Sequence, residues 1–177
     1  KLKISKYYVS LDSDCYFFKD FYISDFLYKE DIPYMVMTQH GDMLEWTDRY
    51  HKECFPFNPR ESHESDYNFI KSIFGREGKI YHYGPNPFIW NTEVWEWLDK
   101  EIGIIKAFAD RPNELNWYGE ATLAKGDKFM PCDPLFKCFH YEAQYSFYKQ
   151  LGWTEEHLKP QYMGVVMQSN CNLPIKY

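Results

Sequence analysis

Two aspartates one residue apart, Asp12 and Asp14, stand where the apolar run Tyr7–Leu11 ends. With twelve aspartates in 177 residues, that spacing would arise about once by chance, so its position carries more information than its pattern. Ligands of open α/β sheets sit beyond strand ends, and paired carboxylates suit hard divalent cations such as Mg²⁺ or Mn²⁺, which also keep water and phosphate oxygens as ligands. A solvated strand-to-turn exit is the competing reading. An EF-hand loop fails, because Tyr16 and Phe17 occupy the positions that need an oxygen ligand and a glycine. An aspartyl-nucleophile phosphohydrolase also starts with Asp-x-Asp after a strand, Asp12 then being the nucleophile. Tyr16 replaces its usual small residue.

Histidine is the next group with metal chemistry. His140, in "CFHYEAQ", follows an apolar run and precedes a helical pattern, so it is a candidate ligand. His40, in "TQHGD", also follows a strand pattern and could line the same end of the sheet, whereas His51, His63, His82 and His157 read as polar groups facing solvent. Trp117 and Tyr118 could stack on a sugar face, with core packing the favoured use. The five cysteines lack paired zinc spacing and read as unbridged thiols of a reducing, cytoplasmic compartment.

The elements that must position these groups alternate between strands and helices. Strands are expected at Tyr7–Leu11, "YMVMT", "KIYHY" and "YMGVVM". Phe17, Phe18 and Phe21 should return to the core after the aspartates. Asp42–Phe55 reads as partly helical, "FPFNPRESHES" as a surface loop, and "DYNFIKSIFG" as a short helix stopped by Gly75. "NTEVWEWLDKEIG" is the clearest helix, capped by Asn91 or Thr92, with Val94, Trp97, Leu98 and Ile102 on one face. Another begins near Asn113, and a third runs from Tyr141 to Leu151 with Ala143, Phe147 and Leu151 four apart. Pro85 and Pro87 fix the connection Gly84–Pro87. The whole of 1–177 fits one α/β domain with a mixed central sheet flanked by helices.

Composition bounds the partners. Hydrophobic residues make up 45% and aromatics 20%, enough for a dense core. The formal charge is −6 with no basic block, which argues against nucleic acid. No apolar run is long enough to span a bilayer.

Three segments together resemble a known group. "YYVSLDSDCYFFKDF" resembles the Asp-x-Asp segment of GT-A fold glycosyltransferases, while "GPNPFIWNTEVWEWL" and the Glu-x-x-x-Tyr-Gly element in "NELNWYG" resemble a little-characterised glycosyltransferase-like family within that fold. The likeness runs from about Tyr7 to His140. It implies a GT-A-like domain that transfers a sugar from a nucleotide-sugar donor to a hydroxyl of a carbohydrate or other acceptor. Asp12, Ser13 and Asp14 would form the donor-binding segment, Asp12 and Asp14 meeting ribose and a diphosphate-bound Mn²⁺ or Mg²⁺, with His140 as a further metal ligand. Glu114 would be the catalytic base or sugar-positioning carboxylate; otherwise it complements a helix dipole. A GT-A domain places its nucleotide-recognising half before Asp-x-Asp, whereas eleven residues precede Asp12 here. The resemblance therefore makes this the catalytic, C-terminal portion of the fold, with donor recognition expected from a further N-terminal segment or second subunit and an exposed apolar flank beside the first strand. A non-catalytic carbohydrate-binding or scaffold domain is the alternative from a different class.

Overall fold

A computed structural model describes residues 5–39, 42–54, 59–85, 87–169, 173–174 and 177. The chain begins with β1 (Tyr7–Ser10), β2 (Cys15–Phe17), β3 (Leu27–Lys29) and β4 (Ile32–Val36). The helices α1 (Asp42–Cys54) and α2 (Pro59–Ile73) follow, then β5 (Phe88–Asn91). Next come α3 (Thr92–Glu101), α4 (Ile104–Asp110) and α5 (Glu114–Lys125), then β6 (Met130–Cys132) and β7 (Phe136–Phe139). The helices α6 (Glu142–Gln150) and α7 (Glu155–Leu158) lead to β8 (Gly164–Met167). The architecture is mixed α/β.

The strands divide among three small sheets instead of one central sheet. Antiparallel β1 and β5 make the first. In the second, β8 lies between antiparallel β2 and parallel β7. In the third, β4 lies between antiparallel β3 and parallel β6. Short strands explain the division: each has three to five residues and few ladder bonds, so side-chain packing joins the sheets. Ile89 of β5, Phe136 and Cys138 of β7, and Val166 of β8 share one buried cluster.

The largest cluster gathers the helices around β5. Val94 and Leu98 of α3, Trp90 of β5, and Trp117, Tyr118 and Ala121 of α5 pack together. The Asn91 side chain accepts a bond from Glu93 N at 3.0 Å, the expected cap of α3. On α5, Gly119 lies so close to the Tyr83 ring that an added Cβ would fall 2.3 Å from its Cγ. Only a residue without a side chain permits that approach.

Several local expectations change. Pro59 starts α2 inside the expected surface loop, because proline's missing N–H costs nothing in the first helical turn. "KIYHY" forms only the isolated bridge between His82 and Thr38, since the proline-fixed connection leaves it no continuing partner. The helix α4 fills a stretch without a clear apolar period. Phe17 and Phe18 are half-buried, but Phe21 turns outward and stacks on Phe17 at 4.1 Å. Val9 and Leu11 are also exposed beside β1, which pairs with β5 alone among the described strands.

Candidate active site

Strand directions bring the candidate residues to one end of the molecule. β1 leaves its sheet at Ser10, opposite Phe88, where β5 begins. The connection Leu11–Asp14 follows, and Cys15 opens β2 opposite Val166. Asp12 and Ser13 are exposed and Asp14 is half-buried. The turn is held from both sides: Cys15 Sγ donates to Asp12 O at 2.9 Å, and Met167 N donates to Asp14 O at 2.8 Å. Asp14 Oδ2 also accepts from Ser169 N at 3.0 Å. Burial, with the adjacent Asp12 and Asp14 charges, pushes the Cys15 thiol up to about 11, so it stays protonated and able to donate.

The helix carrying Glu114 runs alongside β5 in the same direction. Leu115 reaches Gly84 and joins Pro87 and Phe88 around one small cavity, Tyr118 Oη accepts from Asn91 N at 2.7 Å, and Thr122 and Asn91 line a second cavity further along. The N-terminus of α5 therefore lies at the end of β5 where β1 departs toward Asp12. Glu114 is exposed in the first turn, and Asn113 caps it by accepting from Asn116 N at 3.2 Å. Gly84 and Pro87 border the same end, and so does the exit of β4, since Thr38 N donates to His82 O at 3.0 Å. His40 lies outside the described residues.

His140 follows Phe139, the last residue of β7, which pairs with Met167 of β8. The half-buried His140 is thus at the same sheet end as Asp14. β8 separates them, however, by two strand spacings, about 10 Å between backbones. Its Nδ1 lies 3.5 Å from Cys138 Sγ. The helix α1 closes this side, with Thr47 Oγ1 2.8 Å from Tyr141 Oη.

Asp12, Asp14, Glu114 and His140 therefore share one end, but no three His, Cys, Asp or Glu side chains among the described residues form a group that could hold a metal ion. Two carboxylates in one anchored turn fit a Mg²⁺- or Mn²⁺-type ion that completes its shell with phosphate oxygens and water; they do not fit an all-protein cage. The sequence reading missed Ser169, the backbone anchor of Asp14, because the contact spans 155 positions and uses a main-chain N–H.

Other residues take structural parts. Trp117 and Tyr118 are core residues, with Trp117 Nε1 donating to Arg111 O at 2.8 Å. His82 is buried, not a surface group, and its Nδ1 lies 3.0 Å from Tyr67 Oη. His63 stacks on Tyr67, and His157 closes the first turn of α7 through Thr154. Cys15, Cys132 and Cys138 form no disulfide. Glu120, also unforeseen, is 3% exposed: Arg76 donates to both its oxygens, at 2.6 and 2.5 Å, and Tyr83 Oη adds a bond at 2.8 Å.

Comparison with known proteins gives no match: no family model, no curated protein and no solved structure matches the chain. Among the described residues no helix is long and apolar enough to cross a membrane.

Proposed function

We propose that the protein is a metal-dependent glycosyltransferase of GT-A type, moving a sugar from a nucleotide-sugar donor to a hydroxyl of a glycan or other small acceptor. The observation that carries this reading is the convergence of the anchored Asp12–Asp14 turn, Gly84 and Pro87, the exposed Glu114 and His140 at one end of the strand layer. Asp12 and Asp14 would hold Mn²⁺ or Mg²⁺, which when bound neutralises the departing diphosphate. Bonds from Ser169 and Met167 hold Asp14 against strand ends, so the turn is preorganised for that task. Glu114 would accept the acceptor's hydroxyl proton as that oxygen bonds the anomeric carbon and the bond to the diphosphate breaks. Glu114 is exposed in the first turn of α5.

Calorimetric titration with Mn²⁺, with and without uridine or guanosine diphosphate, tests the reading. Each ligand should tighten the other by the same factor, and Asp14→Ala should abolish the coupling. Wild-type protein that binds neither overturns the metal site. Phosphate release from simple esters, with a beryllofluoride adduct on Asp12, would identify a phosphohydrolase instead. Glycan binding indifferent to Mn²⁺ and to both aspartates would identify a binding scaffold.

A further inference from the structure

Antiparallel pairing turns the backbone groups of alternate residues toward a neighbouring strand and those between them away from it. Thr92 N donates to Lys6 O at 3.0 Å, so Lys6, Tyr8 and Ser10 address β5. Tyr7, Val9 and Leu11 therefore present their N–H and C=O groups along the opposite edge of β1. Among the described residues no strand pairs with that edge. Val9 and Leu11 are also exposed apolar side chains, at 40% and 44%. Tyr7 O accepts from Ser5 Oγ, a local bond that uses one of its two lone pairs.

An unpaired edge bearing apolar side chains is a template for another strand, and proteins that keep such an edge in water blunt it with lysine, proline or a bulge. The run Tyr7–Leu11 holds neither residue and pairs with β5 in continuous register. The edge is instead self-complementary. With Val9 on a two-fold axis and the strands antiparallel, Val9 meets the partner's Val9 and Tyr7 meets the partner's Leu11. Every outward N–H and C=O of these three residues then finds a counterpart. The same register sets Lys6 against the partner's Asp12, twice by symmetry, and both residues are exposed. Opposite charges thus face one another at the two ends of the pairing. A shift that sets Tyr7 against the partner's Val9 brings Lys6 to Ser10 and forfeits both ion pairs.

We propose that a second copy of this chain occupies the edge, joining two β1 strands into one antiparallel pair across a two-fold axis at Val9. A copy related by that axis supplies both the outward backbone groups and the charge complement of Lys6 with Asp12. Such an interface uses the same patch on both subunits and closes at two copies. A carboxylate accepts from several directions, so pairing with Lys6 is compatible with the ion proposed for Asp12 and Asp14. The inference does not rest on the glycosyltransferase reading.

Sedimentation velocity over a concentration series, without Mn²⁺ or nucleotide, tests the pairing. Wild-type protein should pass from monomer to dimer and no further. Val9→Pro removes the N–H on the axis, which faces away from β5, and should leave monomer over the same range. Should that variant fail to fold by circular dichroism, Val9→Lys sets like charges on the axis and carries the same expectation. Lys6→Asp or Asp12→Lys alone opposes like charges at both ends and should weaken dimerisation about 10-fold. The two together should restore it. Hydrogen exchange locates the contact: the Val9 and Leu11 amides should slow as dimer forms, whereas the Tyr8 amide, facing β5, should not change. Wild-type protein that stays monomeric, or that grows into larger assemblies, overturns the inference. So does a dimer indifferent to the Val9 substitutions or to the single charge reversals, or one that the double reversal fails to restore. A dimer that forms without slowing the Val9 amide overturns it too.

Discussion

Gly119→Ala adds one methyl group in a helix interior, where alanine ordinarily stabilises by about 1 kcal/mol relative to glycine. The structure predicts the opposite sign here. The new Cβ would fall 2.3, 2.4 and 2.5 Å from Cγ, Cδ1 and Cδ2 of Tyr83, whereas carbons rest roughly 3.5–4.0 Å apart. The ring must therefore retreat by about 1 Å or more. It has little room, being 5% exposed and tied to Glu120 Oε1 at 2.8 Å. Overpacking costs about 1–3 kcal/mol, and a strained or broken bond to a charged group adds about 1.5–3 kcal/mol. Against the helix gain, a net loss of about 3 kcal/mol is expected, or about 6–12 °C in Tm at this chain length. Urea unfolding followed by tryptophan fluorescence measures it. Because Tyr83 immediately precedes the Gly84–Pro87 connection, Mn²⁺ and nucleoside diphosphate binding should weaken as well. In a Tyr83→Phe background the hydroxyl bond is already gone, so Gly119→Ala should cost less than in the wild type. A Gly119→Ala protein as stable as the wild type, or more so, would refute the close approach and the account of the Tyr-Gly pair built on it.

Two further outcomes follow from buried ionisable groups. Arg76→Met leaves the Glu120 carboxylate buried with Tyr83 and should cost about 3–5 kcal/mol in urea unfolding, most of it recovered by adding Glu120→Leu. A loss below about 1 kcal/mol, the size of a surface pair, would count against burial of this charge. Burial, opposed by the nearby Asp66, holds the His63 pKa below its ordinary 6.5. Below that value the unfolded chain takes up a proton the folded chain resists, so stability should fall as pH drops through 6.5 toward the lower folded pKa. His63→Gln should flatten that part of the stability–pH curve, and an unchanged slope would assign it to another group.

The local elements were legible where one short-range signal dominated. Asn91 followed by the spacing of Val94 and Leu98 defined α3, because a cap and a 3.6-residue period are both set within a dozen positions. The apolar runs gave β1, β4 and β8 for the same reason. Competing signals were harder to weigh. Polar residues around Pro59 resembled a loop, although proline in a first turn is compatible with helix, and "KIYHY" had strand composition without a neighbour to pair with. On α6 the apolar spacing named the wrong face, since the tyrosines and Gln144 pack inward while Phe147 and Leu151 meet solvent.

By itself the sequence determined which groups are present: two carboxylates at a strand exit, a glutamate opening a helix, a histidine between a strand and a helix, and a glycine after Tyr118. Covalent spacing sets these, because each depends on near neighbours along the chain. Only tertiary structure decided that Asp12, Asp14, Glu114 and His140 share one end, that β8 stands between Asp14 and His140, and that Ser169 and Gln144 anchor the backbone there. It also decided why residue 119 has no side chain, since the Tyr83 ring that excludes one comes from 36 positions away. Strand pairing and close packing join residues across such separations through shape and hydrogen bonding, and neither leaves a periodic trace in the order of amino acids.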